Sequence, residues 1–190
     1  MQLSAYLTAA MISWIPNADV TWYESVANDV ATVVLSEEEP ELFIDDLNRT
    51  KTGLLMISIA RFESNFIRRI DEGKCYANEC DNGNAFSMWQ IHPIHGIVLT
   101  PTSYMYYTRE VSHDENIIRG IDLVKNRQLA CKTAMHFARV SLAKYKSLCM
   151  YTGESCKTGR HPMADVRLST ALSYEKTHPL QSLPVDVSLR

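Results

Sequence analysis

Apolar residues recur along this chain at helical rather than alternating spacing. In "NADVTWYESVANDVATVVLS" the residues Trp22, Val26, Val30 and Val33 fall on one helical face, with Asn17 or Asp19 as the N-cap. The preceding "MQLSAYLTAAMISWIP" is apolar and closes at Pro16, so it reads as a first helix docked on the domain or on a partner. "SEEEPELF" interrupts the pattern at Pro40, and "ELFIDDL" reads as a short helix or turn. Residues 51–70 form the strongest helical segment, followed by a polar loop over about 71–85 that is rich in Gly, Asn, Asp and Cys. "AFSMWQI" fits a buried turn or a short strand, and Pro93 and Pro101 bracket another loop.

Asp114 opens a long helical stretch that reaches Tyr151. Ile117, Ile121, Val124, Leu129, Ala134, Phe137 and Leu142 keep near-helical spacing there, with room for one break. "TGESCKTGRHP" is a loop, "ADVRLSTALSYEK" a last helix, and "HPLQSLPVDVSLR" an extended tail. The expected fold is mainly α with little room for a sheet. Its parts are an apolar segment (1–16), a main domain (17–176) and a C-terminal tail (177–190).

Composition narrows the function classes. A chain of 190 residues with 46% hydrophobic and 22% charged content suits one folded domain with a single core. A net charge of -3 lacks the basic footprint of a nucleic-acid binder, so any site for a polyanion is local. No apolar run reaches the roughly 18 residues of a membrane span. The N-terminal segment has no Lys or Arg near its start, which argues against a secretory signal.

Five cysteines allow at most two internal disulfides, and no CxxC pair suggests a zinc ribbon. Cys75 and Cys80 flank "CYANEC" and are close enough to pair. Cys156, in a Gly-rich turn, is placed to reach Cys131, while Cys149 in "SLCMY" reads as a small buried hydrophobe. Two disulfides imply an oxidising compartment or a virion surface; an all-reduced chain is the other reading. His92 and His95 lie close together in "HPIH" without an evident third ligand, so no metal site and no cofactor are expected.

One acid stands out. In "LLMISIARFESNF", Arg61, Ser64, Asn65 and, further on, Arg68 share a polar helical face, and Met56, Ile59, Phe66 and Ile70 the apolar one. Glu63 falls between Ile59 and Phe66 on the apolar stripe. Burial disfavours its charged form, and a Glu protonated near neutral pH is a general acid suited to glycoside cleavage. The bland alternative is a Glu at the core rim paired with Arg61 or Arg68. Gln90 sits between Trp89 and Ile91, a costly place for an amide without partners. Met88 or Trp89 is suited to lining a sugar subsite, and Tyr151, just before Gly153, to bonding a carboxylate. Each of these taken alone reads as packing.

Together, "ESNF" (Glu63–Phe66), "AFSMWQIHP" (Ala85–Pro93) and "MYTG" (Met150–Gly153) resemble the lysozyme-like lytic transglycosylase superfamily in order and spacing. They match its Glu-Ser, Gly-Leu-Met-Gln-Ile and Ala-Tyr-Asn-Ala-Gly segments. The resemblance is nearest to a branch found in phages and some bacteria and runs from about Trp22 to Ala171. The chain departs from the pattern at Ser87, where the family has Gly, at Trp89, often Met, and at Thr152, usually Asn.

The resemblance implies a lysozyme-like single domain, of the goose-type lysozyme and transglycosylase kind, that cleaves the MurNAc–GlcNAc bond of peptidoglycan strands. Glu63 would act as acid and then base. Ser64, Gln90 and Thr152 would contact substrate, Tyr151 would orient Glu63, and Met88 and Trp89 would wall the groove. Arg167, on the last helix, is expected to hold the Tyr151 loop. Most glycosidases use two carboxyl groups, and Asp71 or Asp81 would be the second in a hydrolytic muramidase. A non-catalytic glycan-binding or structural virion module is the third reading. A phage virion acting on the host wall, or the bacterial periplasm or exterior, is the implied location. The N-terminal segment and the tail would then dock virion or envelope proteins.

Overall fold

In the computed structural model, residues 3–16, 19–45, 47–107, 116–159 and 161–180 are described. The chain is mainly helical, and one central helix organises the rest. Helix α1 (Leu3–Trp14) buries Leu3, Tyr6, Leu7, Ala10 and Met11 against α2 (Val20–Val34). Asp19 caps α2 as expected, its side chain accepting from the Trp22 amide at 3.1 Å. Trp22, Val26, Val30 and Val33 are all buried, and Tyr23, Ala27, Ala31 and Val34 widen the apolar face toward both neighbours.

Helix α3 (Asn48–Ser64) runs through the middle, and every residue from Thr52 to Ala60 is buried. Helices α1 and α2, with α7 (Arg127–Tyr145) and α8 (Pro162–Thr177) from later in the chain, pack around it, so it has no broad polar face to present. It also ends earlier than the expected 51–70 span. Asn65 adopts the left-handed conformation (φ 53°), which Asn tolerates, and its amide caps the Arg61 carbonyl at 2.9 Å. Phe66 then turns inward against Tyr23, ring centroids 5.3 Å apart, and Arg68 starts a separate short helix, α4 (Arg68–Asp71).

The polar stretch that follows is a loop tied by the Cys75–Cys80 disulfide and a one-turn element, α5 (Cys80–Gly83). Ser87–Gln90 forms a turn closed by paired Phe86 and Ile91 backbones. The start of α6 (Gly120–Lys125) lies on this turn so closely that a Cβ at Gly120 would collide with the Phe86 ring.

On either side of Pro101 there is more than loop. Ile97–Thr100 (β1) and Ser103–Tyr106 (β2) pair antiparallel, with Ile97 opposite Tyr106 and Thr100 opposite Ser103. Pro101 sits in the two-residue connection, where it costs no ladder hydrogen bond. His136 fastens the hairpin to α7 (Arg127–Tyr145). Its Nε2 donates to the Ser103 carbonyl at 2.7 Å and its Nδ1 accepts from Arg139 at 2.6 Å, the pattern of a neutral imidazole.

The long helical stretch expected from Asp114 breaks at Asn126, whose side chain caps α7 by accepting from the Leu129 amide at 3.0 Å. Asp114 itself lies outside the described residues, but the stretch does not begin there as a helix: Ile118 pairs with Ile97 in an antiparallel bridge, and helix starts only at Gly120. Helix α7 stops at Lys146 (φ 57°), and residues 147–159 form a loop ahead of α8 (Pro162–Thr177). This corrects one cysteine pairing. Cys149 is in that loop rather than on a helix, and it bonds to Cys156, with Cα atoms 5.3 Å apart. Cys131, expected to reach Cys156, is a free thiol fully buried on α7.

Candidate active site

Glu63 lies in the last turn of α3, where the buried helix meets the surface, and its side chain is 20% exposed. Arg167, from the middle of α8, donates to Glu63 Oε1 from both Nε (3.1 Å) and Nη2 (2.7 Å). The same guanidinium donates from Nη1 to the Met163 carbonyl, and the Ser58 hydroxyl donates to the Arg167 carbonyl at 2.7 Å. The arginine is therefore locked to α3 and α8 before it meets the acid. Glu63 Oε2 has no hydrogen-bond partner among the described residues.

The grip on one oxygen has a chemical consequence. Two N–H donors of the Arg167 guanidinium converge on Oε1 and none of the described residues donates to Oε2, so Oε2 is the oxygen left to carry a proton. Burial raises the pKa of Glu63 above the ordinary carboxylate value. The Arg167 charge, its hydrogen bonds and then His92 pull the other way, and burial prevails.

Glu63 opens onto a cleft of about 310 Å³. One wall is aromatic: Tyr104 and Tyr106 project from β2 and Phe137 from α7, with the Tyr104 and Phe137 centroids 4.3 Å apart. Burial holds the Tyr106 phenol up at about 12, so it stays a neutral donor. Gln90, Ile91 and His92 contribute from the turn, and Met150–Gly153 from the loop after α7. Among the described residues lining this cleft, Glu63 is the sole carboxylate.

Of the residues expected at the site, Glu63, Gln90, Tyr151 and Thr152 do meet in the cleft. Their roles differ from expectation in part. Tyr151 donates its hydroxyl to the Trp89 carbonyl at 2.8 Å and so ties the loop to the Ser87–Gln90 turn; Arg167, not Tyr151, orients Glu63. Nor does Arg167 hold the loop. Glu154 does that, its carboxylate accepting from the Met163 and Ala164 amides at 3.1 and 2.9 Å and from the Thr152 hydroxyl at 2.8 Å. Glu154 thereby satisfies free donors at the start of α8 and fixes the helix that carries Arg167.

Met88 and Trp89 do not wall the groove. Both are fully buried, because the turn directs them inward, and the Trp89 indole donates to the Met56 carbonyl at 3.0 Å. Ser64 uses its hydroxyl within α3, donating to the Ala60 carbonyl at 2.9 Å. Gln90 donates to the Ser87 carbonyl at 3.0 Å and so braces its own turn from the cleft side.

The candidate second carboxylates are outside the cleft lining. Asp71 is buried, with Oδ2 accepting from Arg127 at 2.9 Å and Oδ1 from the Met88 amide at 3.2 Å. Asp81 is exposed and touches the cleft only through His92, 3.5 Å away. His95 is exposed and has no partner to complete a ligand set with His92 among the described residues.

The aromatic wall was not anticipated from the sequence. Its signal was present in "SYMY", where Tyr104 and Tyr106 two apart must share one face of a strand. No protein-family model, curated protein or solved structure matches this chain.

Proposed function

We propose that this protein is a lysozyme-like lytic transglycosylase that cleaves the MurNAc–GlcNAc bond of peptidoglycan. The observation that carries this reading is the state of Glu63. It is a half-buried acid with a raised pKa, held at one oxygen by Arg167, with the other free beside an aromatic cleft. Sugar rings present apolar faces that pack on aromatic side chains, and Tyr104, Tyr106 and Phe137 offer such a wall.

In this mechanism Glu63 Oε2–H donates its proton to the glycosidic oxygen as the C1–O bond of the muramic residue breaks. The Glu63 carboxylate so formed is stabilised by Arg167. It then takes the proton of the muramic C6 hydroxyl as that oxygen bonds to C1, closing a 1,6-anhydro ring and restoring the protonated acid. The nucleophile belongs to the substrate, so one carboxyl group suffices and proximity supplies much of the advantage. A cleft lined by a single carboxylate among the described residues favours this route over a two-carboxylate hydrolysis.

Ser87 supports the family reading in a second way. It is buried with φ 61°, a conformation natural to glycine, at the position where the resembling family carries Gly. The two disulfides fit work in an oxidising setting such as a virion or the cell envelope.

Digestion of purified peptidoglycan followed by mass spectrometry tests the proposal. Anhydro-muramic ends are expected. Reducing ends would make the protein a muramidase, and no cleavage of any peptidoglycan type would leave a binding or structural module.

A further inference from the structure

Two disulfides tie this chain, and one of them encloses part of the cleft. Cys149 and Cys156 are seven residues apart, and the cleft-lining Met150, Tyr151, Thr152 and Gly153 lie between them. So does Glu154, whose carboxylate accepts from the Met163 and Ala164 amides. Two tethers to the site therefore start inside one covalent ring. Tyr151 bonds the Trp89 carbonyl, and Glu154 fixes the start of α8, the helix that carries Arg167.

The two ends of the ring are held differently. Cys149 is fully buried, and beside it the Met150 amide donates to the Ser141 hydroxyl of α7 at 3.1 Å. That hydroxyl donates in turn to the Ser147 carbonyl at 2.7 Å. Cys156 is partly exposed, and Ser155 and residues 157–159 around it are exposed. The sulfur bridge joins this exposed arm to the anchored end beside α7. Cys131, the remaining cysteine, is fully buried, and burial pushes its thiol up, so it supplies no thiolate to attack the bridge. The bridge answers to a reductant from solvent instead.

We propose that the Cys149–Cys156 bridge is a redox switch on the cleft: oxidised, it holds Tyr151 and Glu154 in place; reduced, it lets both slacken. As a switch on activity, the proposal rests on Glu63 acting on peptidoglycan. A dithiol drives the step. One of its thiolates attacks the Cys156 sulfur, and Cys149 leaves as a thiolate that takes up a proton. The second reductant sulfur then displaces Cys156, which is protonated in turn. Two protein thiols and one reductant disulfide result, with two electrons transferred. Without the bridge, Glu154 holds the start of α8 from a loop anchored at one end, and Arg167 loses its fixed approach to Glu63. A chain held in a reducing compartment would stay slack until it met an oxidising one.

The test measures peptidoglycan cleavage and amide hydrogen exchange on the full chain, before and after dithiothreitol. Reduction is expected to lower kcat about tenfold, within the range that a small misplacement at a reacting centre costs. It should speed exchange at the Met163 and Ala164 amides while residues 54–59 of α3 stay protected. Oxidised glutathione should restore both. The response should persist in Cys75→Ser/Cys80→Ser, where Cys149–Cys156 is the one bridge left, and Cys149→Ser/Cys156→Ser should behave like reduced wild type from the start. Unchanged exchange at Met163 and Ala164 on reduction overturns the switch, as does a dithiothreitol response that survives Cys149→Ser/Cys156→Ser. A bridge that only staples the fold predicts faster exchange through α3 as well, and that result also overturns it. Failure of oxidised wild type to cleave overturns the reading of Glu63, whereas exchange at the two amides tests the bridge without substrate.

Discussion

Two carboxylates near the end of the central helix look alike and are built for different work. Glu63 and Asp71 are both sequestered from solvent, both have pKa values raised by burial, and both face an arginine from a distant helix. Asp71 has both oxygens engaged, by Arg127 and by the Met88 amide, and Arg127 also contacts Asp29 and Ser25. Glu63 has one oxygen engaged and the other free at a cleft. A raised pKa therefore does not separate a working acid from a structural one. The free oxygen and the space beside it do.

Amide substitution at the two sites should separate their roles most strongly. Glu63→Gln should lower peptidoglycan cleavage by about a thousandfold, the scale of losing a general acid. Its melting temperature should barely move, because the Gln carbonyl can still accept from Arg167 while its amide faces the cleft. Full activity in the variant would remove Glu63 from the mechanism.

Next in size is Arg167→Gln. Loss of the cation that stabilises the Glu63 carboxylate should cost roughly a hundredfold in kcat. The pH profile should move as well. Arg167 lowers the Glu63 pKa through its charge and its hydrogen bonds, so removing it lets burial raise that pKa further. Activity requires the protonated acid and is lost as pH rises through its pKa, so the alkaline limb should shift to higher pH. A shift to lower pH would contradict the assigned coupling.

Asp71→Asn should act on stability instead. The Asn amide must point at either the Arg127 or the Met88 donor, leaving two donors face to face in a buried place. A loss of about 3 kcal/mol is expected in denaturant unfolding, with cleavage per folded molecule retained. Normal stability with lost activity would move Asp71 to the catalytic side.

The smallest effect belongs to Asp81→Asn. Its contact with His92 is exposed, and surface pairs contribute about 0–1 kcal/mol, so cleavage should change less than about fivefold. A loss on the scale of Glu63→Gln would identify a second carboxylate and turn the mechanism to hydrolysis.

Several elements were legible before any coordinates because their signals are local. The Asp19 cap, the buried face of α2, the break in the long helical stretch and the last helix all depend on residues within a turn or two of each other. The Cys75–Cys80 pairing was readable for the same reason. The hairpin is hidden from a local reading because Pro101 reads as a breaker of structure, whereas it stands in the connection between the two strands. The Cys149–Cys156 pairing was missed because the apolar run around Cys149 hid the left-handed stop at Lys146. Trp89 looked suited to a groove, yet a turn closed by Phe86 and Ile91 sends it into the core.

Local sequence is enough to place a single acid in an apolar helix, where burial disfavours its ionisation. It also determined most helix positions, through caps and periodicity. The partner of the acid is set by long-range packing. Arg167 lies 104 residues from Glu63, and their meeting depends on α8 packing against α3, with Glu154 fixing the start of α8. Helical periodicity and capping act over a few residues of chain. Which carboxylate oxygen stays free, and which rings face it, depends on how separate elements pack, and no local pattern encodes that.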